Sequence, residues 1–122
     1  MKLSLDHNDQ DYIIHGYQDG AVRVNQQRID HSVLVGAGQI ESWPPTDFEA
    51  LAPEHFEAIA DLEPELVLLG TGARQRFPHP RLTRALVERG IGVESMDTGA
   101  ACRTFNIVAA EGRRVIAALL MI

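Results

Sequence analysis

Two short polar segments hold the residue types that could do chemistry in this chain: Gly70-Thr71-Gly72-Ala73-Arg74-Gln75-Arg76-Phe77 and Met96-Asp97-Thr98-Gly99-Ala100-Ala101-Cys102-Arg103. In the first, Gly70-Thr71-Gly72 would let backbone N–H groups face an anion, and Arg74 and Arg76 would add positive charge. The competing reading is a tight strand exit that needs two flexible residues, with both arginines in solvent. No GxGxxG or Walker-type phosphate fingerprint follows the strand. In the second segment, the Asp97 carboxylate is expected to accept the first N–H groups of a following helix. Cys102 beside Arg103 is a weak candidate nucleophile, because a helix start and a neighbouring cation lower a thiol's pKa. Against it, free cysteines mostly fill core space, and no histidine can be assigned as its base. Arg103 and Asn106, three apart on one helical face, offer either a polar patch for a ligand or partner or a solvated surface.

No catalytic set completes itself elsewhere. His7, Asp11 and His15 fall across a loop and a strand, where a four-residue step does not bring side chains together. His31, His55 and His79 are scattered, and neither HExxH spacing nor a GxSxG elbow is present. The expectation is no metal, no cofactor and no catalytic residue beyond the weak candidate Cys102.

Both polar segments follow apolar runs, Glu65–Leu69 and Ile91–Ser95. In open α/β sheets the carboxyl ends of neighbouring strands share a rim, where ligands and partners are met. The elements that must build this rim alternate. Pro53 suits a first helical position, and Phe56, Ile59 and Ala60 recur at helical spacing until Pro64. Leu66–Leu69 reads as a strand covered on both faces. Pro80 opens a helix with Leu82, Ala85 and Leu86 inward and Gly90 as its stop. Val93–Met96 is a strand, and Asp97 or Thr98 can then cap a helix lined by Ala101, Phe105 and Val108 and closed by Gly112. The apolar run from Val115 reads as a buried strand. Before this half, residues 12–43 are β-rich: Tyr12–Tyr17, a hairpin turn at Asp19-Gly20, Ala21–Val24, one further strand over Arg28–Val35, and Gln39–Trp43 ending at Pro44-Pro45. The order is thus a β-rich start followed by αβαβαβ over residues 53–122. Residues 1–11 are expected to be loosely ordered.

Composition narrows the partners. A chain of 122 residues with 11 Lys plus Arg against 17 Asp plus Glu, net charge −6, has no basic stripe for nucleic acid. Its single cysteine excludes an internal disulfide and fits a reducing compartment, so the expected location is cytoplasmic. The N-terminus turns polar before a signal-like core develops, and the apolar C-terminus is too short for a membrane span.

Leu68-Leu69-Gly70-Thr71-Gly72, Arg76-Phe77-Pro78, Gly90-Ile91 and Met96-Asp97-Thr98 running into Ala101-Cys102-Arg103-Thr104-Phe105-Asn106-Ile107 together resemble the signature of a small-domain family of unknown biochemical activity. Its eukaryotic members include the mitochondrial assembly factor three for respiratory complex I and the adipogenesis-associated Mth-type protein. The resemblance spans about residues 11–120. It implies an α/β fold, a three-layer single domain with a mixed, mostly parallel sheet of about five strands flanked by helices, plus extra β structure from the N-terminal half. It implies no enzyme reaction or cofactor. Gly70, Thr71, Gly72, Arg76, Asp97, Thr98, Cys102, Arg103 and Asn106 match the family pattern and would form its shared surface. Two functions follow as expectations: a non-catalytic binding or assembly module whose rim meets another protein, or a small enzyme or sensor that binds an anionic metabolite there.

Overall fold

The computed structural model describes residues 12–121. The expectations for residues 1–11, His7 and Asp11 among them, and for Ile122 lie outside the described residues.

Three short strands, β1 (Ile14–Gln18), β2 (Ala21–Val24) and β3 (Gln27–Ile29), form an antiparallel sheet in the order β1-β2-β3. Asp19 and Gly20 join the first two with φ of 55° and 72°. Two successive left-handed residues are what a tight hairpin needs to match the strands' twist. The second sheet holds β4 (Val33–Gly36), β5 (Gln39–Ser42), β6 (Leu66–Thr71), β7 (Gly92–Met96) and β8 (Val115–Leu120), in the order β5-β4-β8-β6-β7. β8 pairs parallel with β6 and β6 parallel with β7, whereas β4 is antiparallel to both of its neighbours. Four of the five strands therefore point the same way. All six residues of the central strand β8 are buried, as expected of an unbroken apolar run with a layer on each face.

Side-chain alternation splits the core in two. Val35, Leu68, Ala117 and Leu119 pack with β1–β3 and with α3 (Thr98–Ala110), around Phe105. Leu34, Val67, Leu69, Ile116, Ala118 and Leu120 pack with α1 (Pro53–Ala60) and α2 (Arg84–Glu88), around Phe56. Trp43 closes this second core, edge-on to Phe56 at 5.8 Å between ring centroids. The result is three layers: the small sheet and α3, the large sheet, and α1 with α2. No described helix is long and apolar enough to cross a membrane.

Two expectations are corrected. The strand read over Arg28–Val35 is two strands in different sheets, since β3 pairs with β2 while β4 pairs with β5 and β8. The exposed Asp30 and His31 carry the chain from one layer to the next, a change that strand periodicity does not encode. The helix opened by Pro80 is a 3-10 turn, Pro80–Leu82, followed after Thr83 by the five-residue α2. The Leu82 and Thr83 N–H groups bond three residues back, to His79 and Pro80, so the turn stays tight.

Candidate functional site

The rim expected from sequence forms where β6 and β7, parallel neighbours, end side by side. Thr98 locks their exits together. Its hydroxyl donates to the Leu120 carbonyl at 2.6 Å and accepts the Gly72 N–H at 2.8 Å. Its own N–H donates to the Gly72 carbonyl at 2.9 Å. Three strand ends, those of β6, β7 and β8, thus meet on one fully buried threonine. Gly70 makes room for it: a β-carbon there would stand 3.0 Å from Thr98 Cα, Thr98 Oγ1 and Leu119 Cδ2. Gly72, with φ of 98°, turns the chain in a conformation side chains rarely adopt.

A second threonine folds the loop over. The Thr71 hydroxyl stands 2.7 Å from the Arg74 carbonyl and 3.1 Å from the Met96 carbonyl, and it accepts the Arg76 N–H at 3.1 Å. Gln75 adds a bridge from its Nε2 to the Ser95 carbonyl at 2.9 Å. Arg76 is held by a third segment: its guanidinium bonds Glu49 and lies 4.2 Å from the centre of the Phe48 ring. That hydrogen bond is the main reason the Glu49 carboxyl is held below its ordinary value.

On α3, Asp97 caps the helix through the Ala100 N–H at 2.8 Å. Asn106 grips β1 at both of its polar atoms: Nδ2 donates to the Ile14 carbonyl at 2.8 Å and Oδ1 accepts the Ile14 N–H at 2.9 Å. It therefore ties the small sheet to α3 instead of joining Arg103 in an outward patch. Cys102 is fully buried between α3 and the sheets, and burial pushes its thiol up to about 12, against the pull of Arg103. At neutral pH that sulfur is a protonated thiol without solvent access, which is the opposite of what a nucleophile requires.

The structure thus brings Gly70, Thr71, Gly72, Arg76, Asp97 and Thr98 together, with Arg103 exposed beside them on α3, and turns Cys102 and Asn106 inward. The N–H groups of Gly72, Arg76, Thr98 and Ala100, which could have faced an anion, are consumed by internal acceptors. What the rim shows to solvent is Arg74, Gln75, Phe77 and Arg103. Neither arginine forms a salt bridge among the described residues, and Arg74 adds to the positive field that holds the Glu49 carboxyl down. Phe48 and Glu49 were invisible as rim components in the sequence, because only the tertiary fold carries the segment before α1 to the β6 exit. No group of three or more metal-ligating side chains occurs among the described residues.

The model of the family described as "Protein of unknown function (DUF498/DUF598)" matches residues 14–120. The chain is similar to the Bos taurus NADH dehydrogenase (ubiquinone) 1 alpha subcomplex assembly factor 3, with 35% identity over 109 residues, 88% of this chain and 59% of that relative. It thus spans about three-fifths of that relative's length. Among solved structures, it is similar to a protein from Bordetella parapertussis, with TM-score 0.85 and 42% identity, covering 91% of this chain and 96% of that one. It is also similar to a Bordetella pertussis protein described as a Mth938-like domain, with TM-score 0.81 and 34% identity over 99% of this chain and 92% of the other.

Proposed function

The chain belongs to the DUF498/DUF598 family of proteins of unknown function, and on that premise we propose that it is a non-catalytic binding module that helps a respiratory NADH dehydrogenase assemble. Its rim, from Gly70 to Phe77 and from Asp97 to Arg103, is the surface that meets the partner protein. One observation carries this reading: the rim's backbone donors are spent on Thr71, Thr98 and Asp97, so the loops are rigid and present side chains, not an anion cradle. Rigid loops bind without a large ordering cost, and an exposed aromatic with arginines is the composition of interface anchors. The name of the bovine relative supports an assembly role. The working compartment in this reading is the cytoplasm, which the single free cysteine supports.

The test is quantitative recovery of respiratory NADH dehydrogenase subunits on the tagged full-length chain, from cells that carry that enzyme. Arg103→Ala and Arg74→Ala should each lower recovery severalfold while leaving the melting temperature unchanged. Recovery unaffected by both, or no enrichment of such subunits with the unmodified chain, would overturn the proposal.

A further inference from the structure

Four polar side chains are buried among the described residues, and three of them are satisfied. Thr71, Thr83 and Thr98 each place the hydroxyl on a carbonyl. The fourth is Ser32, 5% exposed, whose Oγ has no hydrogen-bond partner among the described residues. Sealing a hydroxyl from water without a partner is costly, and alanine would fill the same place without that cost. The main chain here is held firmly, since the Ser32 carbonyl accepts the Trp43 N–H and the His31 ring Nδ1–H, both at 3.0 Å.

Ser32 lines a cleft of about 430 Å³ between the crossing from β3 to β4 and the segment that leaves β5. The cleft lies at the same end of the large sheet as the rim, beyond the carboxyl end of β8, but shares no residue with it. Its polar lining is made of acceptors. A carbonyl oxygen can only accept, so the His31 ring proton sits on Nδ1 and the Nε2 lone pair is left over. Asp30 adds a carboxylate, whose loose, exposed ion pair with Arg28 spans 3.6 Å. Ser42 and Thr46 add hydroxyls, and no lysine or arginine lines the cleft. The remaining wall is apolar: Pro44, Pro45 and Trp43, whose indole N–H is already given to the His55 carbonyl at 3.3 Å.

A ligand suited to this lining brings hydrogen-bond donors and an apolar body. An alcohol supplies one donor, whereas a primary ammonium supplies three. The Asp30 carboxylate and the chain's net charge of −6 favour the cation further. An anion would meet like charge and lone pairs, with only hydroxyls to receive it.

We propose that this cleft binds a primary ammonium group on a small apolar body, with Ser32 and Asp30 as its acceptors. The orphaned Ser32 hydroxyl is the group that the ammonium satisfies. This site does not depend on the assembly reading.

The probes are benzylamine, benzyl alcohol and benzoate, each titrated into the full-length chain while its amide resonances are followed. Benzylamine should shift the Ser32, Trp43 and Thr46 amides and saturate. Benzyl alcohol should bind about tenfold more weakly, as loss of charge-assisted bonds implies, and benzoate should not bind. N-acetyl-lysine methylamide separates two sources of the same group: binding as tight as benzylamine assigns the site to a lysine side chain of a partner, weaker binding to a free amine. Ser32→Ala should weaken benzylamine severalfold yet melt no lower than the parent, because it removes an unsatisfied hydroxyl. Asp30→Asn should weaken it to a similar extent. Benzyl alcohol or benzoate binding as well as the amine would overturn the proposal, as would shifts confined to other amides or unchanged binding to Ser32→Ala. A lower melting temperature for Ser32→Ala would also overturn it, making the hydroxyl a structural tie, and so would the lack of saturable binding, which leaves the cleft to water. Because the rim test uses Arg74→Ala and Arg103→Ala, failure of either proposal leaves the other standing.

Discussion

The Gly72 N–H ends on the hydroxyl of Thr98, 2.8 Å away and 26 residues along the chain, so the first turn of α3 is fastened to the exit of β6. The same hydroxyl donates a hydrogen bond to the Leu120 carbonyl, and one side chain thereby fixes the relative height of three strands.

Thr98→Val keeps the side-chain shape and removes the hydroxyl, leaving the Gly72 N–H and the Leu120 carbonyl buried without a partner. An unsatisfied buried group costs about 1–3 kcal/mol, so the variant should lose about 2–4 kcal/mol in urea unfolding. Thr98→Ser should recover most of this. A loss below about 1 kcal/mol would show that the two groups find other partners.

Gly70 and Gly99 should respond oppositely to alanine. At Gly70 the new methyl meets backbone and a buried leucine at 3.0 Å, an overpacking that costs about 1–3 kcal/mol. At Gly99, inside the first turn of α3, the nearest atoms stand at 3.4 Å and 3.6 Å, an ordinary contact. Alanine there should stabilise by about 0.5–1 kcal/mol, the usual helical gain over glycine. Calorimetric melting of the two variants measures both signs, and a stabilised Gly70→Ala would refute the packing account.

Cys102 should resist thiol reagents at pH 8 in the native protein and react fully once urea unfolds it. With the folded thiol pushed up to about 12, the native state holds its proton through a pH range where the unfolded chain releases it. The associated stability is therefore fully present below the ordinary thiol range and declines as pH rises from there toward 12. Cys102→Ala should flatten that alkaline decline. Fast native labelling near neutrality would contradict the burial argument.

Asn106→Ala should loosen the small sheet selectively. The amide holds both backbone groups of Ile14, and losing two part-buried hydrogen bonds costs about 1–3 kcal/mol at the usual net value per bond. Amide exchange in β1 and β2 should speed up by at least tenfold while β6 and β8 stay protected. Uniform acceleration would mean that the two sheets unfold as one unit and that Asn106 is no special tie.

Periodicity and punctuation, both local properties, made much of this fold legible in the residues alone. Phe56, Ile59 and Ala60 announced α1; the apolar runs at Leu66 and Val115 announced strands covered twice; Asp19-Gly20 announced the hairpin; and Asp97 announced its own cap. The position of the two polar segments was legible too, because chain order β6-α2-β7-α3 brings parallel strand ends to one rim. What the residues could not declare was the destination of each polar group. Thr98 reads locally as a helix-start residue, Asn106 as half of a surface patch and Arg76 as a free charge. Tertiary packing sent the first to Gly72 and Leu120, the second to Ile14 and the third to Glu49. Hydrogen bonds between residues 22 to 92 positions apart depend on where whole layers come to rest, and no short-range pattern records that. The same physics decided Cys102, whose neighbour Arg103 suggested activation until burial in the finished core outweighed it.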